Sequence, residues 1–106
     1  MAQAAPVFAA LGDATRLQII VRLCGEGPLS IARLAEGARV SRQAITKHLQ
    51  VLEGAGLASG LRNGRECIWE LRTKQLVEMR RYLAQISHQW DAALNRLRVF
   101  MEKTDQ

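Results

Sequence analysis

Cys24 and Cys67 are the only cysteines in the 106-residue sequence, and they have neither CxxC spacing nor a histidine cluster beside them. Such a pair indicates neither a disulfide framework nor a zinc site. Histidine is as scarce: His48 and His88 fall in separate helical stretches with no nucleophile at base spacing, and no glycine-rich phosphate loop occurs. The inventory of an enzyme is therefore missing, and no cofactor is expected. Met1 to Pro6 carries no basic stretch, and the apolar Val7 to Leu11 is far too short for a signal or a span, which predicts a cytoplasmic protein without a membrane partner. Acidic residues are also few, 10 against 15 Lys and Arg, and the resulting charge of +5 favours a polyanionic partner.

Hydrophobic residues make up 48% of the chain, enough for one core and too few for two ordinary domains, so residues 1–106 are read as a single domain. Asp13 caps a predicted helix from Ala14, in which Leu17, Ile20, Val21 and Cys24 recur at helical steps and are expected to face inward; Gly25-Glu26-Gly27-Pro28 ends it. Ser30 caps a stretch of barely two turns ending at Gly37. Ser41 caps a longer and more polar helix running to about Glu53. A short helix, a tight connection and a longer polar helix are the sequence form of a helix-turn-helix. Cys67 is expected in the core beside Ile68 and Trp69. Two short apolar-polar runs, Leu57–Leu61 and Glu66–Leu71, flank Arg62-Asn63-Gly64-Arg65, and Asn-Gly predicts a type I′ hairpin. Thr73 caps a last helix over 73–101, with Glu102 to Gln106 as a frayed polar end.

In the longer polar helix, Leu49 and Leu52 lie within about 40° of Ile45, whereas Gln43, Thr46, Lys47 and Gln50 share the opposite face. Gln reads adenine, Lys reaches guanine or phosphate, and the Thr methyl packs on thymine, a set suited to the DNA major groove. Ser41 and Arg42 stand at the helix start, where free N–H groups favour phosphate. His48, on the flank, either touches a phosphate or packs. Arg62, Asn63 and Arg65 on the hairpin are placed to meet the neighbouring backbone or minor groove. A protein-interaction module on the same fold is the alternative; its mark, an uncharged reading face or wing, is not seen.

In the last helix Leu76, Leu83, Trp90 and Leu97 repeat every seven residues, and Met79, Ile86, Ala93 and Phe100 form a second series three positions on. This a/d seam predicts a homodimer.

The run Ser41-Arg-Gln-Ala-Ile-Thr-Lys-His-Leu-Gln-Val-Leu52, with Ala55-Gly56-Leu57, Arg62-Asn-Gly-Arg65 and the earlier Phe8-Ala-Ala-Leu-Gly-Asp-Ala-Thr-Arg-Leu17, resembles the ArsR/SmtB family of bacterial repressors. The resemblance implies a mainly α fold with a small β-hairpin, a winged helix-turn-helix of five helices and a two-stranded wing. It also implies a repressor that binds a near-palindromic operator, released by a small-molecule effector. It further implies a dimer through the terminal helices, involving Val7, Phe8 and Leu11 with Leu83, Ile86, Trp90, Ala93, Leu97 and Phe100. The metal-binding members carry Glu-Leu-Cys-Val-Cys-Asp-Leu where this chain has Pro28-Leu-Ser-Ile-Ala-Arg-Leu34. Ser30 and Ala32 replace the two cysteines and supply no thiolate, so no metal is expected there. Of the Asp, His and Glu set that the family uses on its last helix, this chain offers His88 and Asp91. Trp90-Asp-Ala-Ala-Leu-Asn-Arg-Leu97 is similar to the branch encoded beside small-molecule-binding proteins of the SRPBCC type.

Overall fold

A computed structural model describes residues 4–104, in which five helices and one small sheet follow the order α1 (Ala4–Leu11), α2 (Ala14–Glu26), β1 (Leu29–Ser30), α3 (Ile31–Ala35), α4 (Arg42–Gly54), β2 (Ala58–Asn63), β3 (Glu66–Leu71) and α5 (Thr73–Thr104). The three caps expected on the short and middle helices are formed. Asp13 Oδ1 accepts from the Thr15 and Arg16 amides at 2.9 and 3.1 Å, Ser30 Oγ from Arg33 at 3.1 Å, and Ser41 Oγ from Ala44 at 3.1 Å. Each satisfies a helix N–H that has no partner within the helix. Ser41→Ala is expected to lower stability by about 1 kcal/mol, read from a denaturant midpoint that moves at constant slope.

Asp13 is more acidic than its ordinary 3.8, first because it accepts the Arg16 amide and further because of the Arg16 charge. A carboxyl more acidic when folded adds stability above its unfolded pKa and loses it as pH falls through the folded one. Stability carried by this cap should therefore decline below about pH 3.8. Asp13→Ala should flatten that part of the acid denaturation curve, and a curve of unchanged shape would remove the cap from the balance.

The sheet is antiparallel in the order β1-β3-β2, with Leu29 opposite Trp69 on one side of β3 and Gly60 opposite Trp69 on the other. The wing thus has a third strand that the two-stranded reading omits; two residues are too short to show alternation. The turn also differs. Asn63 pairs with Glu66, so the loop residues are Gly64 and Arg65, and of the two only Gly64 has positive φ, at 66°. Glycine at the first turn position is the type II′ pattern, not the type I′ turn that Asn63-Gly64 suggests. At Gly60 an added Cβ would lie 3.0 Å from the Trp69 ring and from Cys67 Sγ, so the indole packs closely against bare backbone.

One core gathers Val7 and Ala10 of α1, Ile19, Ile20 and Leu23 of α2, Leu34, the α4 face of Ile45, Leu49 and Leu52, then Leu57, Trp69 and Met79. Cys67 packs against it half-buried, as expected, but Cys24 does not: it is exposed, together with Leu17 and Val21. The true inward face of α2 is Ile19-Ile20-Leu23. The expected and observed stripes share Ile20 and differ by a rotation of the helix, and apolar spacing alone fits both. α5 runs 32 residues, about 48 Å, through Thr104, so residues 102–104 are helical and not frayed, and Thr73 is its first residue instead of its cap. Only its start packs on the body, chiefly against α1, where the Phe8 and Tyr82 rings meet at 5.8 Å. The remainder projects, giving a molecule 72 Å long and 26 by 22 Å across. Among the described residues no single helix is long and apolar enough to cross a membrane.

Candidate nucleic-acid interface

Burial of Ile45, Leu49 and Leu52, each at most 1% exposed, fixes the rotation of α4 and turns Arg42, Gln43, Lys47 and Gln50 to solvent. Ser41, exposed at the N-cap, leaves the first turn of α4 as a cluster of amide donors. Thr46 is half-buried, and its hydroxyl donates to the Arg42 carbonyl at 3.0 Å, so the group it retains for an outside contact is chiefly its methyl. The polar face of α4 therefore lies where the periodicity placed it.

His48 is half-buried on the flank. Arg16 Nη1 lies 3.3 Å from His48 Nδ1, Asp13 Oδ1 lies 3.9 Å from the same nitrogen, and Arg16 Nε donates to the Ala10 carbonyl at the end of α1. This cluster ties the α1–α2 junction to the reading helix. Sequence reading missed it because its three members belong to two distant segments. The trace it leaves is the Asp13-x-x-Arg16 spacing at a helix start.

Charge reinforces the geometry. From Arg39 to Gln50 there is no acidic residue, and the exposed Arg39, Arg42 and Lys47 have no carboxylate within 4.0 Å among the described residues. Arg39 was not anticipated; it stands in the α3–α4 connection, two positions before the Ser41 cap. Strand β2 packs against α4 and carries the exposed Arg62 and Asn63 toward the turn, where Arg65 is exposed too. Neither arginine has an acidic partner among the described residues. A phosphate needs no existing ion pair to be displaced at these cations.

The expected pairing residues are distributed unevenly. Leu83, Ile86, Trp90, Ala93, Leu97 and Phe100 are exposed, Trp90 at 65%, while Phe8 and Leu11 are half-buried. Val7 is 3% exposed and belongs to the chain's own core, so it has little surface to give to anything else. His88 and Asp91 are both exposed, and among the described residues no three His, Cys, Asp or Glu groups gather as a metal site.

A short helix, a longer helix whose polar face is free of acid from Arg42 to Gln50 and an arginine-bearing three-stranded wing define a winged helix-turn-helix DNA-binding protein. The helix-turn-helix domain family matches residues 11–59. The HTH-type transcriptional regulator Rv2034 of Mycobacterium tuberculosis is 36% identical over 85 residues, 80% of this chain and 76% of that protein. An ArsR-like transcriptional regulator from Rhodococcus sp. RHA1 superimposes with a TM-score of 0.74 at 40% identity, over 91% of this chain and 90% of the other. The solution structure of a homodimeric winged helix-turn-helix DNA-binding domain from Mycobacterium bovis, described as a possible ArsR-family regulator, has a TM-score of 0.64 at 25% identity over 87% and 82%. The chain belongs to the ArsR family of helix-turn-helix transcriptional regulators. Its function is DNA-binding regulation, not catalysis.

Proposed function

We propose that this protein is a cytoplasmic repressor that binds a near-palindromic operator as a homodimer. The observation that carries the reading is the solvent-facing surface of α4 from Arg42 to Gln50, which holds no acidic residue and is oriented by three fully buried side chains on the other face of the helix. Gln43, Thr46, Lys47 and Gln50 read base edges, while Ser41, Arg42, Arg62, Asn63 and Arg65 hold the backbone, joined by Arg39 and by His48 at the flank. The exposed seam of α5 supports pairing, as does the homodimeric relative from Mycobacterium bovis. Two copies related by a two-fold axis place their reading helices about 34 Å apart, one turn of DNA. Occupancy of such a site blocks transcription.

The signal that ends repression does not come through the family's cysteine site, since Ser30 and Ala32 stand there. A small-molecule effector fits better: Ala4 of α1 and Gln75, Glu78, Tyr82 and Gln85 of α5 line an open cavity of about 370 Å³ between the two helices, within the size range of ligand sites. Genomic fragments selected by the purified protein should share an inverted repeat with half-site centres about 10 base pairs apart. In vitro transcription from such fragments should fall as protein is added, and a rise would overturn the repressor reading. Changing Arg62 and Arg65 to Ala should reduce the slope of log affinity against log salt by about 0.9 for each lost phosphate contact. An unchanged slope would take the wing out of the phosphate set.

A further inference from the structure

The apolar arc of α2 is wider than its own domain covers. At 100° per residue, Ile19, Ile20 and Leu23 occupy the buried side, and Leu17, Val21 and Cys24 form a second stripe beside Ile20. All three are exposed, Val21 at 61%. No charge interrupts this stripe; Arg22 and Glu26, paired at 2.9 Å, lie on the far side of the helix. A solvated helix face ordinarily carries charge, and this one has none over about two turns.

α5 shows the complementary excess. Its seam is widened by Leu94 and Met101, each one position beyond a seam residue, into an apolar arc of about 120°. A two-residue seam serves one neighbouring helix, whereas an arc of this width belongs to a helix packed against two. Met79, at the start of the same stripe, is buried in the chain's own core, while Leu94 and Met101 are 49% and 59% exposed. Since both stripes are exposed in the same chain, α2 and α5 of one copy do not cover each other.

One neighbour of α5 in the homodimer is the partner's α5. We infer that the other is the partner's α2, with the Leu94–Met101 edge of each α5 seated on the Leu17–Val21–Cys24 stripe of the second copy. This rests on the homodimer proposed above and adds a surface to it. The two-fold axis makes the contact twice, so each copy covers the other's uncharged stripe with a face of matching chemistry. The exposed thiol of Cys24 becomes an interface group.

Cys24 supplies the probe. In a Cys67→Ser background, alkylation of Cys24 by a bulky maleimide should be at least tenfold slower in the dimer than after dilution to monomer. Val21→Glu should raise the dimer dissociation constant at least tenfold, and Gln18→Glu, on the same helix but outside the stripe, should leave it unchanged. Circular dichroism should show both variants folded, because both positions are exposed in the single chain. A Cys67→Ser dimer whose Cys24 labels at the monomer rate, or a dissociation constant that Val21→Glu leaves unchanged, overturns this contact and leaves the dimer standing. A wild-type protein that sediments as a monomer at tens of micromolar overturns both.

Discussion

The double substitution of Gln43 and Lys47 by Ala is expected to weaken operator binding by at least about thirtyfold. Each well-placed side-chain pair with a base edge is worth about 1–3 kcal/mol, and the two together lose about 2 kcal/mol at the lower limit. Both side chains point away from Ile45, Leu49 and Leu52, so the core and the unfolding midpoint should not change. Binding to unrelated DNA should suffer much less, because only the single charge of Lys47 is lost there. Fluorescence anisotropy with the selected operator and a scrambled duplex makes the comparison. Equal losses on the two duplexes would reassign this face from reading sequence to holding the backbone.

A larger effect, on dimerisation, is expected from Leu97→Glu, acting far from DNA. Leu97 is 53% exposed in the single chain, so the domain has no reason to unfold. In the proposed dimer the new carboxylate lies in an apolar seam, at a cost of about 2 kcal/mol for each polar group buried without a partner. The two-fold axis doubles the loss to about 4 kcal/mol, roughly a thousandfold in the dissociation constant. Sedimentation at micromolar concentration should then show a folded monomer, with operator affinity reduced to that of one half-site. Persistence of the dimer would move the interface away from the α5 seam.

The parts of this protein legible in its sequence are those decided by local chemistry. Asp13, Ser30 and Ser41 mark helix starts because a short oxygen-bearing side chain is placed to accept amides two or three residues on. The orientation of the polar face of α4 was legible because its buried residues, Ile45, Leu49 and Leu52, admit a single rotation. α2 has no such uniqueness: its apolar arc is broad enough for two rotations, and only the packing of Ile19 and Leu23 against the rest of the core selects one. At the wing, Asn63-Gly64 and Gly64-Arg65 are both acceptable turn pairs, and the choice depends on the register of Asn63 with Glu66. β1 exists because Leu29 and Ser30 meet Trp69 and Ile68 across the sheet, a long-range contact that two residues cannot announce. The cluster of Asp13, Arg16 and His48 was hidden for the same reason.

The turn at Gly64 makes the two wing arginines unequal, although they flank it almost symmetrically in sequence. Arg62 sits in the ladder opposite Cys67, so its direction is set by the pleat. Arg65 sits in the turn itself, with no opposite residue to hold it. In the proposed complex with DNA the first is a fixed finger, sensitive to groove width and position, and the second a tether that follows whichever phosphate is near. In that complex one wing combines a gauge of DNA shape with an anchor indifferent to it.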